Sequence, residues 1–444
     1  MVRRLFISIF IVSGFITGSA QSQRESDLKL FTDNVFHLSE VMLHDVASPP
    51  AAARFYAYST VAAYETFFQS GADLPDLKQS FSKRLQITRP KVSKDIDPIF
   101  CANYALLLTG KQLMPSGVSL DEHLTGLVAY YRDKRGYSRG RLAQNIRFVE
   151  QIVSEIVAYA RADSYGKLST YSRYRPSKEE GHWYPTPPEY MSAVEPQWQT
   201  VRPFFMDSAQ QFVPRPPVVF SKDSLSEFYS LMKEVYVTSR NLTEEQRAIA
   251  NYWDCNPFNV TYSGHMAVGI KKISPGGHWM GITGIACRKK NVPFEEALLI
   301  HAVVACTLHD GFISCWREKY LSDRIRPETA INKYLDAEWR PLLQTPPFPE
   351  YTSGHSVISA AVSVILTHYF GDNFSFTDDS EVYFGLPERD FNSFKQAAEE
   401  AAISRLYGGI HFRDACDAGM EQGRALGKFI TSVKLPALQS SPSP

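Results

Sequence analysis

The chain has 444 residues, 44% hydrophobic and 13% aromatic, which provides a large core in one domain or two packed lobes and excludes a disordered or fibrous protein. Its 47 basic and 47 acidic residues cancel, so no overall charge recruits nucleic acid or an anionic membrane surface. Any site for an anion must therefore be local.

The first residues are typical of a secretory signal peptide. Arg3 and Arg4 precede an apolar run over residues 5–16, and small residues follow up to Ala20, as signal peptidase requires. The run is shorter than the roughly 20 residues of a membrane-spanning helix, which disfavours an anchor. We expect residues 1–20 to be removed and the protein to be exported, to a periplasm or outside the cell. The mature chain would carry 45 basic and 47 acidic residues.

Helical periodicity dominates the rest of the chain, and strand alternation is nearly absent. Apolar residues three and four apart predict helices at residues 28–43, 51–68, 99–113, 142–162, 224–238, 244–253, 294–319, 356–369 and 391–404. A Pro- and Tyr-rich stretch, residues 171–217, reads as a long crossover. We expect an all-α helical bundle with an N-terminal helical half over 21–217, a C-terminal helical domain over 218–438 and a tail over 439–444. No later segment predicts a membrane span, so we expect a soluble mature protein.

Six cysteines contain no CxxC pair, which argues against a zinc site. They are Cys101, Cys255, Cys287, Cys306, Cys315 and Cys416. An exporting compartment permits disulfides, and buried free thiols are the alternative. Both interpretations stay open.

Two cations flank the end of the longest apolar segment. Lys319 and Arg326 are seven residues apart, and Pro327 is expected to stop the helix after them. That spacing places both cations two turns apart on one helical face, where they can point at one anion.

Two further segments combine glycine, histidine and cations. Ser353-Gly354-His355 follows a proline-rich loop at the start of a predicted helix, where free backbone amides complement negative charge. Arg405 and His411 lie six residues apart with two glycines between them. Each pattern alone is commonly a solvated charge or a structural histidine.

Together the blocks K-x6-R-P, S-G-H and S-R-x5-H resemble, in order and spacing, the superfamily of vanadium haloperoxidases and type 2 phosphatidic acid phosphatases. The resemblance covers residues 310–414. It implies a helical bundle with an oxyanion site for vanadate or phosphate. Lys319, Arg326 and Arg405 would neutralise the oxyanion, while the Ser353 hydroxyl and the Gly354 amide would donate hydrogen bonds to it.

The resemblance gives the two histidines different roles. His411 would be the covalent ligand, bonding vanadium in a haloperoxidase or attacking phosphorus in a phosphatase. His355 would act opposite it as the acid/base group. Trp316 and Phe348 fall where the chloroperoxidase branch places aromatics of its halide pocket, although core packing explains them equally well.

Three details depart from the family pattern or extend it. The family has an aspartate four residues after its ligand histidine to orient the imidazole, and Ala415 stands there; Asp414 is the nearest substitute. Thr352 replaces a proline before Ser353. Asp310 resembles the family's buried acid that holds an active-site arginine, with a structural ion pair as the alternative.

Two other histidines stand in similar local sequences. His278, in a glycine-rich stretch, is a candidate for the cavity wall. The triplet Ser263-Gly264-His265 has no basic partner at the right spacing and reads as a coincidence.

The resemblance favours a vanadate-dependent haloperoxidase that uses hydrogen peroxide to oxidise a halide, with vanadate as cofactor. The alternative is an exported acid phosphatase acting on a phosphate ester through a phosphohistidine. A non-catalytic phosphate-binding protein is a third possibility, which the retention of both histidines disfavours. Neither the halide nor the oligomeric state follows from the sequence.

Overall fold

The computed structural model describes residues 2–263, 266–269 and 272–435, with side chains described for 21–259 and 272–435. The side chains of the expected signal peptide, the tail over 439–444 and the pair Gly264-His265 lie outside this description.

Helices make up most of the regular structure of the described residues, as expected. The α-helices, α1 to α13 in chain order, are Val2–His44, Pro49–Gln69, Pro98–Leu113, Asp121–Asp133, Arg139–Arg161, Glu227–Arg240, Glu244–Tyr252, Pro275–Lys290, Phe294–Ser322, Pro327–Tyr334, Gly354–Phe370, Phe394–Tyr407 and Arg413–Phe429. Short 3-10 helices occupy Leu77–Ser80, Gly117–Leu120, Tyr165–Thr170, Trp198–Thr200 and Val382–Phe384, and a π-helical turn occupies Ile430–Lys434.

Two small antiparallel hairpins complete the regular structure. Strand β1 (Val260–Ser263) pairs with β2 (Met266–Gly269), and β3 (Phe376–Asp378) pairs with β4 (Arg389–Phe391). The second hairpin packs beside α8.

All nine predicted helices are present with shifted ends, and side-chain caps explain several of their starts. Ser48 caps α2, and Thr243 begins α7 with a reciprocal capping box to Gln246. Ser353 caps α11 through the amide of Ser356. Sequence periodicity missed the four helices α4, α8, α10 and α13.

Helix α9 is the central element of the core. It packs against α2, α8, α11 and α13. It is the one described helix that is long and apolar enough to cross a membrane, and 94% of that apolar window is buried inside the protein. The surrounding hydrophobic cluster runs from Leu28 to Leu435, so the helices before and after residue 217 share one core.

All six cysteines are free and buried. The sequence left disulfides and buried free thiols open, and in the structure the cysteines are free thiols.

Candidate functional site

His411 lies at the centre of a buried polar network. It follows α12 and the turn at Gly408-Gly409, where Gly409 has a φ of +76° that favours glycine. Its Nδ1 lies 2.8 Å from Oε1 of Glu350, and its Nε2 lies 3.1 Å from Nη1 of Arg326. Because Oε1 of Glu350 accepts and the guanidinium donates, both contacts fit the tautomer with hydrogen on Nδ1 and a lone pair on Nε2.

Glu350 therefore takes the orienting part that the sequence assigned to Asp414. Its Oε1 also accepts from the Phe412 amide at 2.9 Å, which fixes the carboxylate beside the imidazole. Asp414 instead accepts from Nη1 of Arg324 at 2.8 Å, and the same Nη1 lies 3.5 Å from Oε2 of Glu350. Asp414 thus reaches His411 only indirectly, through Arg324 and Glu350, because the chain turns into α13 and carries the Asp414 side chain toward Arg324.

Arg326 is fully buried and fixed by carbonyls. Its Nε donates to Phe348 O at 2.9 Å and its Nη1 donates to Ile410 O at 2.8 Å. Its Nη2 has no hydrogen-bond partner. The expectation of one continuous helical face with Lys319 was wrong, because α9 ends at Ser322 and Arg326 is the extended residue before α10.

Lys319, also fully buried, binds the loop that carries Glu350. Its Nζ donates to the carbonyls of Pro349, Glu350 and Thr352 at 3.2, 3.1 and 2.5 Å. Burial lowers the pKa of its ammonium to about 8. The three hydrogens are used on carbonyls, so Lys319 supplies charge to the network and shapes the loop.

The start of α11 supplies further donors. Oγ of Ser353 accepts from the amide and the hydroxyl of Ser356, at 3.3 and 2.9 Å, which leaves its own proton available. The amides of Gly354 and His355 belong to the first turn and have no acceptor within the helix. A Cβ at Gly354 would meet Trp316 at an ordinary 3.6 Å, so space alone does not require glycine there.

The end of α7 holds the other two expected groups. Arg405 donates from Nη2 to Trp253 O at 2.6 Å and to Ala250 O at 3.4 Å, using carbonyls that a helix end leaves unpaired. His355 bonds the backbone of Trp253 with one ring nitrogen, and its Nε2 has no partner. Burial and then the charge of Arg405 lower the pKa of His355 well below its usual range, so the ring is neutral.

Aromatic rings form a wall of the pocket into which His355, Arg405 and His411 open. The rings of Trp316 and Phe348 lie 4.9 Å apart and both line it. The other wall comes from residues 255–258, which the sequence did not single out.

Asp310 does not hold an arginine. Its carboxylate accepts three backbone amides, from Phe204, Phe205 and Met206, at 2.7 to 2.9 Å. It therefore anchors the crossover against α9. His278 lies behind the wall, fully buried against Cys255 and Asp378.

The residues present fit an oxyanion such as the vanadate expected from the sequence. The Nη2 of Arg326 and the Nε2 of His355 are buried polar atoms without partners. Burial and the facing cations, Arg326 first, lower the pKa of His411 well below its usual range, so Nε2 keeps the lone pair that a metal ligand needs. His411, Arg326, Lys319, Ser353 and their partners make one connected cluster from four segments.

Comparison with known proteins places this geometry among haloperoxidases. Residues 299–437 match the family model of the VCPO second helical-bundle domain. A search of curated proteins finds no match.

Solved structures give the longer alignments. A bacterial vanadium-dependent iodoperoxidase has 43% identity and a TM-score of 0.83, over 91% of this chain and 95% of that one. The holo and apo forms of a bacterial vanadium-dependent chloroperoxidase share the fold at 15% identity, with TM-scores of 0.66 and 0.65, over 89% and 88% of this chain and 94% and 95% of theirs.

Proposed function

This chain belongs to the vanadium-dependent haloperoxidases, and from that membership we propose that it oxidises iodide with hydrogen peroxide, using vanadate held at His411. The observation that carries the proposal is the pairing at His411. Its Nδ1 is taken by Glu350, while its Nε2 faces Arg326, whose Nη2 is buried and unpartnered.

When bound, vanadate supplies a Lewis acid that polarises peroxide for transfer of an oxygen atom to a halide. Arg326, the Ser353 hydroxyl and the first amides of α11 would bind its oxygens, and Arg405 would add positive charge from the α7 side. The lone pair on Nε2 of His411 would hold the metal, with Glu350 fixing the ring.

His355 would move the proton in this proposal. Its ring is neutral, with one nitrogen on the Trp253 backbone and Nε2 free. Nε2 would accept a proton from hydrogen peroxide as the peroxide binds, and return it when the oxidised halide leaves.

Iodide is the halide proposed on two grounds. The neighbour at 43% identity is described as an iodoperoxidase. The pocket wall is built from aromatic and proline side chains, among them Trp316, Phe348 and Phe258, which suits a large, weakly hydrated anion. The comparisons do not favour the phosphatase alternative.

The test is peroxide-dependent oxidation of iodide, bromide and chloride by the purified protein, with and without added orthovanadate. We expect vanadate-dependent turnover that is fastest with iodide, and its loss in His411→Ala. Arg340→Ala, at an exposed arginine outside the network, serves as the control and should keep wild-type rates. Phosphate-ester hydrolysis without halide oxidation would refute the proposal, and faster turnover of bromide would refute the choice of iodide.

A further inference from the structure

Behind the pocket wall, three donor side chains from distant segments meet. Cys255 follows α7, His278 lies in the first turn of α8, and Glu381 follows β3. The Cys255 Sγ lies 3.5 Å from Nδ1 of His278, and Oε1 of Glu381 lies 3.2 Å from the same nitrogen. All three side chains are buried, the most exposed being Glu381 at 4%.

Hydrogen bonds alone leave this cluster incomplete. Nδ1 of His278 can carry one hydrogen, which cannot serve both the sulfur and the carboxylate. In the structure Nδ1 and the sulfur are within hydrogen-bond distance, whereas Oε1 of Glu381, also buried, faces Nδ1 at ion-pair distance without a hydrogen bond. A buried carboxylate oxygen that accepts no hydrogen bond is costly.

The opposite ring nitrogen is held as a metal ligand's would be. Nε2 of His278 lies 2.7 Å from Oδ2 of Asp378, and Ser380 donates to the other oxygen of that carboxylate from its amide and its hydroxyl. A carboxylate on the far nitrogen fixes the ring and strengthens the near nitrogen as a donor to a metal.

We propose that Cys255, His278 and Glu381 bind a divalent cation of the zinc class, at a site distinct from the oxyanion site at His411 but adjoining its pocket, which Cys255 lines. Tetrahedral zinc with usual bond lengths holds sulfur and nitrogen ligands about 3.6 Å apart and nitrogen and oxygen ligands about 3.4 Å apart. The observed separations of 3.5 and 3.2 Å agree with that geometry. One cation would satisfy the sulfur, the nitrogen and the carboxylate oxygen together.

Binding replaces protons at this site. The Cys255 thiol loses its proton to solvent as the metal–sulfur bond forms. Nδ1 of His278 likewise loses its hydrogen to solvent as it binds the metal. No electron transfer is involved. The cation would join the end of α7 to the start of α8 and the segment after β3, just behind the wall that Cys255 contributes to the pocket.

Among the described residues one other group of three candidate ligands has its donor atoms close together, namely His37, Glu40 and His123. Its histidine rings are stacked, with centroids 3.6 Å apart and an interplanar angle of 21°. Lone pairs in two nearly parallel ring planes cannot converge on one ion. This half-exposed group therefore serves as a control.

The test measures metal content in the vanadate-free full chain, expressed with zinc and then dialysed. We expect about one zinc per chain, and with Co²⁺ in its place a thiolate-to-cobalt charge-transfer band. Cys255→Ser should abolish that band and Glu381→Gln, nearly the same shape, should weaken retention of the metal at least tenfold. His123→Gln should change neither.

Three results would overturn the proposal: no zinc above the buffer blank in the wild type, a cobalt band that survives Cys255→Ser, or loss of metal in His123→Gln alone. Circular dichroism and the melting temperature of Glu381→Gln establish that the variant is folded. Because these measurements need neither vanadate nor halide, loss of iodide oxidation alone would leave this site standing.

Discussion

At the scale of single residues, the imidazole of His411 depends on a carboxylate 61 positions earlier in the chain. Glu350→Gln removes the charge while keeping a side chain of the same size, so Nδ1 loses its strong acceptor and the ring its fixed direction. Second-sphere changes of this kind cost roughly 10- to 100-fold in metal affinity or activity. We expect a loss in that range in titrations with orthovanadate.

Neighbouring acids provide the comparison for Glu350. Asp414→Asn should have a smaller effect, because Asp414 acts through Arg324, and Asp417→Asn on the exposed face of α13 should have none. An Asp414→Asn loss as large as that of Glu350→Gln would return the orienting role to Asp414. A fall in melting temperature with unchanged vanadate affinity would make Glu350 a structural residue only.

Lys319 makes the site sensitive to pH. Burial lowers the pKa of its ammonium from 10.5 to about 8, so the cation is present below that pH and is lost above it. The affinity of the wild type for vanadate, divided by that of Lys319→Arg at each pH, should therefore fall as pH rises through about 8. Taking the ratio cancels the ionisation of vanadate itself. A ratio independent of pH between roughly 7 and 9 would remove the charge of Lys319 from anion binding.

At the scale of helices, a stripe of glycines sets how closely α13 lies on α11. A Cβ at Gly423 would stand 2.0 Å from Val357 O, and Cβ atoms at Gly419 and Gly427 would stand 2.9 and 2.8 Å from the carbonyls of Ser353 and Ala361. These backbone atoms cannot move aside separately, so an added methyl must push the helices apart. Helix α11 begins with the donors of the site, which ties this spacing to function.

Gly423→Ala should accordingly destabilise the fold by about 1–3 kcal/mol and weaken vanadate binding. Gly126→Ala is the matched control, since Gly126 is an exposed helical glycine with nothing within 4 Å of an added Cβ. There the better helix propensity of alanine should stabilise by up to about 1 kcal/mol. Thermal unfolding and orthovanadate titration of both variants check this, and equal behaviour would show that the close contact is unimportant.

Glycines in α8 and α13 also explain why sequence periodicity missed these two helices. Helix α8 begins with Pro275 and two glycines, which read as a loop, and a Cβ at Gly277 would stand 2.5 Å from Ile273. Glycine lowers intrinsic helix propensity, and tertiary packing overrides that preference here. Apolar helices such as α9 and α11 were predictable because a long run of apolar residues indicates a buried helix without any knowledge of the segments that pack against it.

At the scale of the whole molecule, the all-α architecture and the segments of the site followed from the sequence, whereas their connections did not. The motifs identified His355, Arg405 and His411, which open into one pocket. Glu350 and the carbonyl of Trp253 could not be identified, because their roles depend on which segments meet around α9. A contact between residues 61 positions apart leaves no local pattern.

The six free, buried thiols bear on how long such a catalyst can last. An enzyme that releases oxidised halide is exposed to its own reactive product, and thiols are among the side chains that such a product oxidises first. Cys255 lines the pocket, whereas the other five cysteines are buried away from it, so damage to those five must wait for the structure to open. For these buried thiols, the working lifetime of the enzyme depends on how often the fold opens. At high product concentration, the rate of opening limits that lifetime, and the concentration of oxidant no longer limits it.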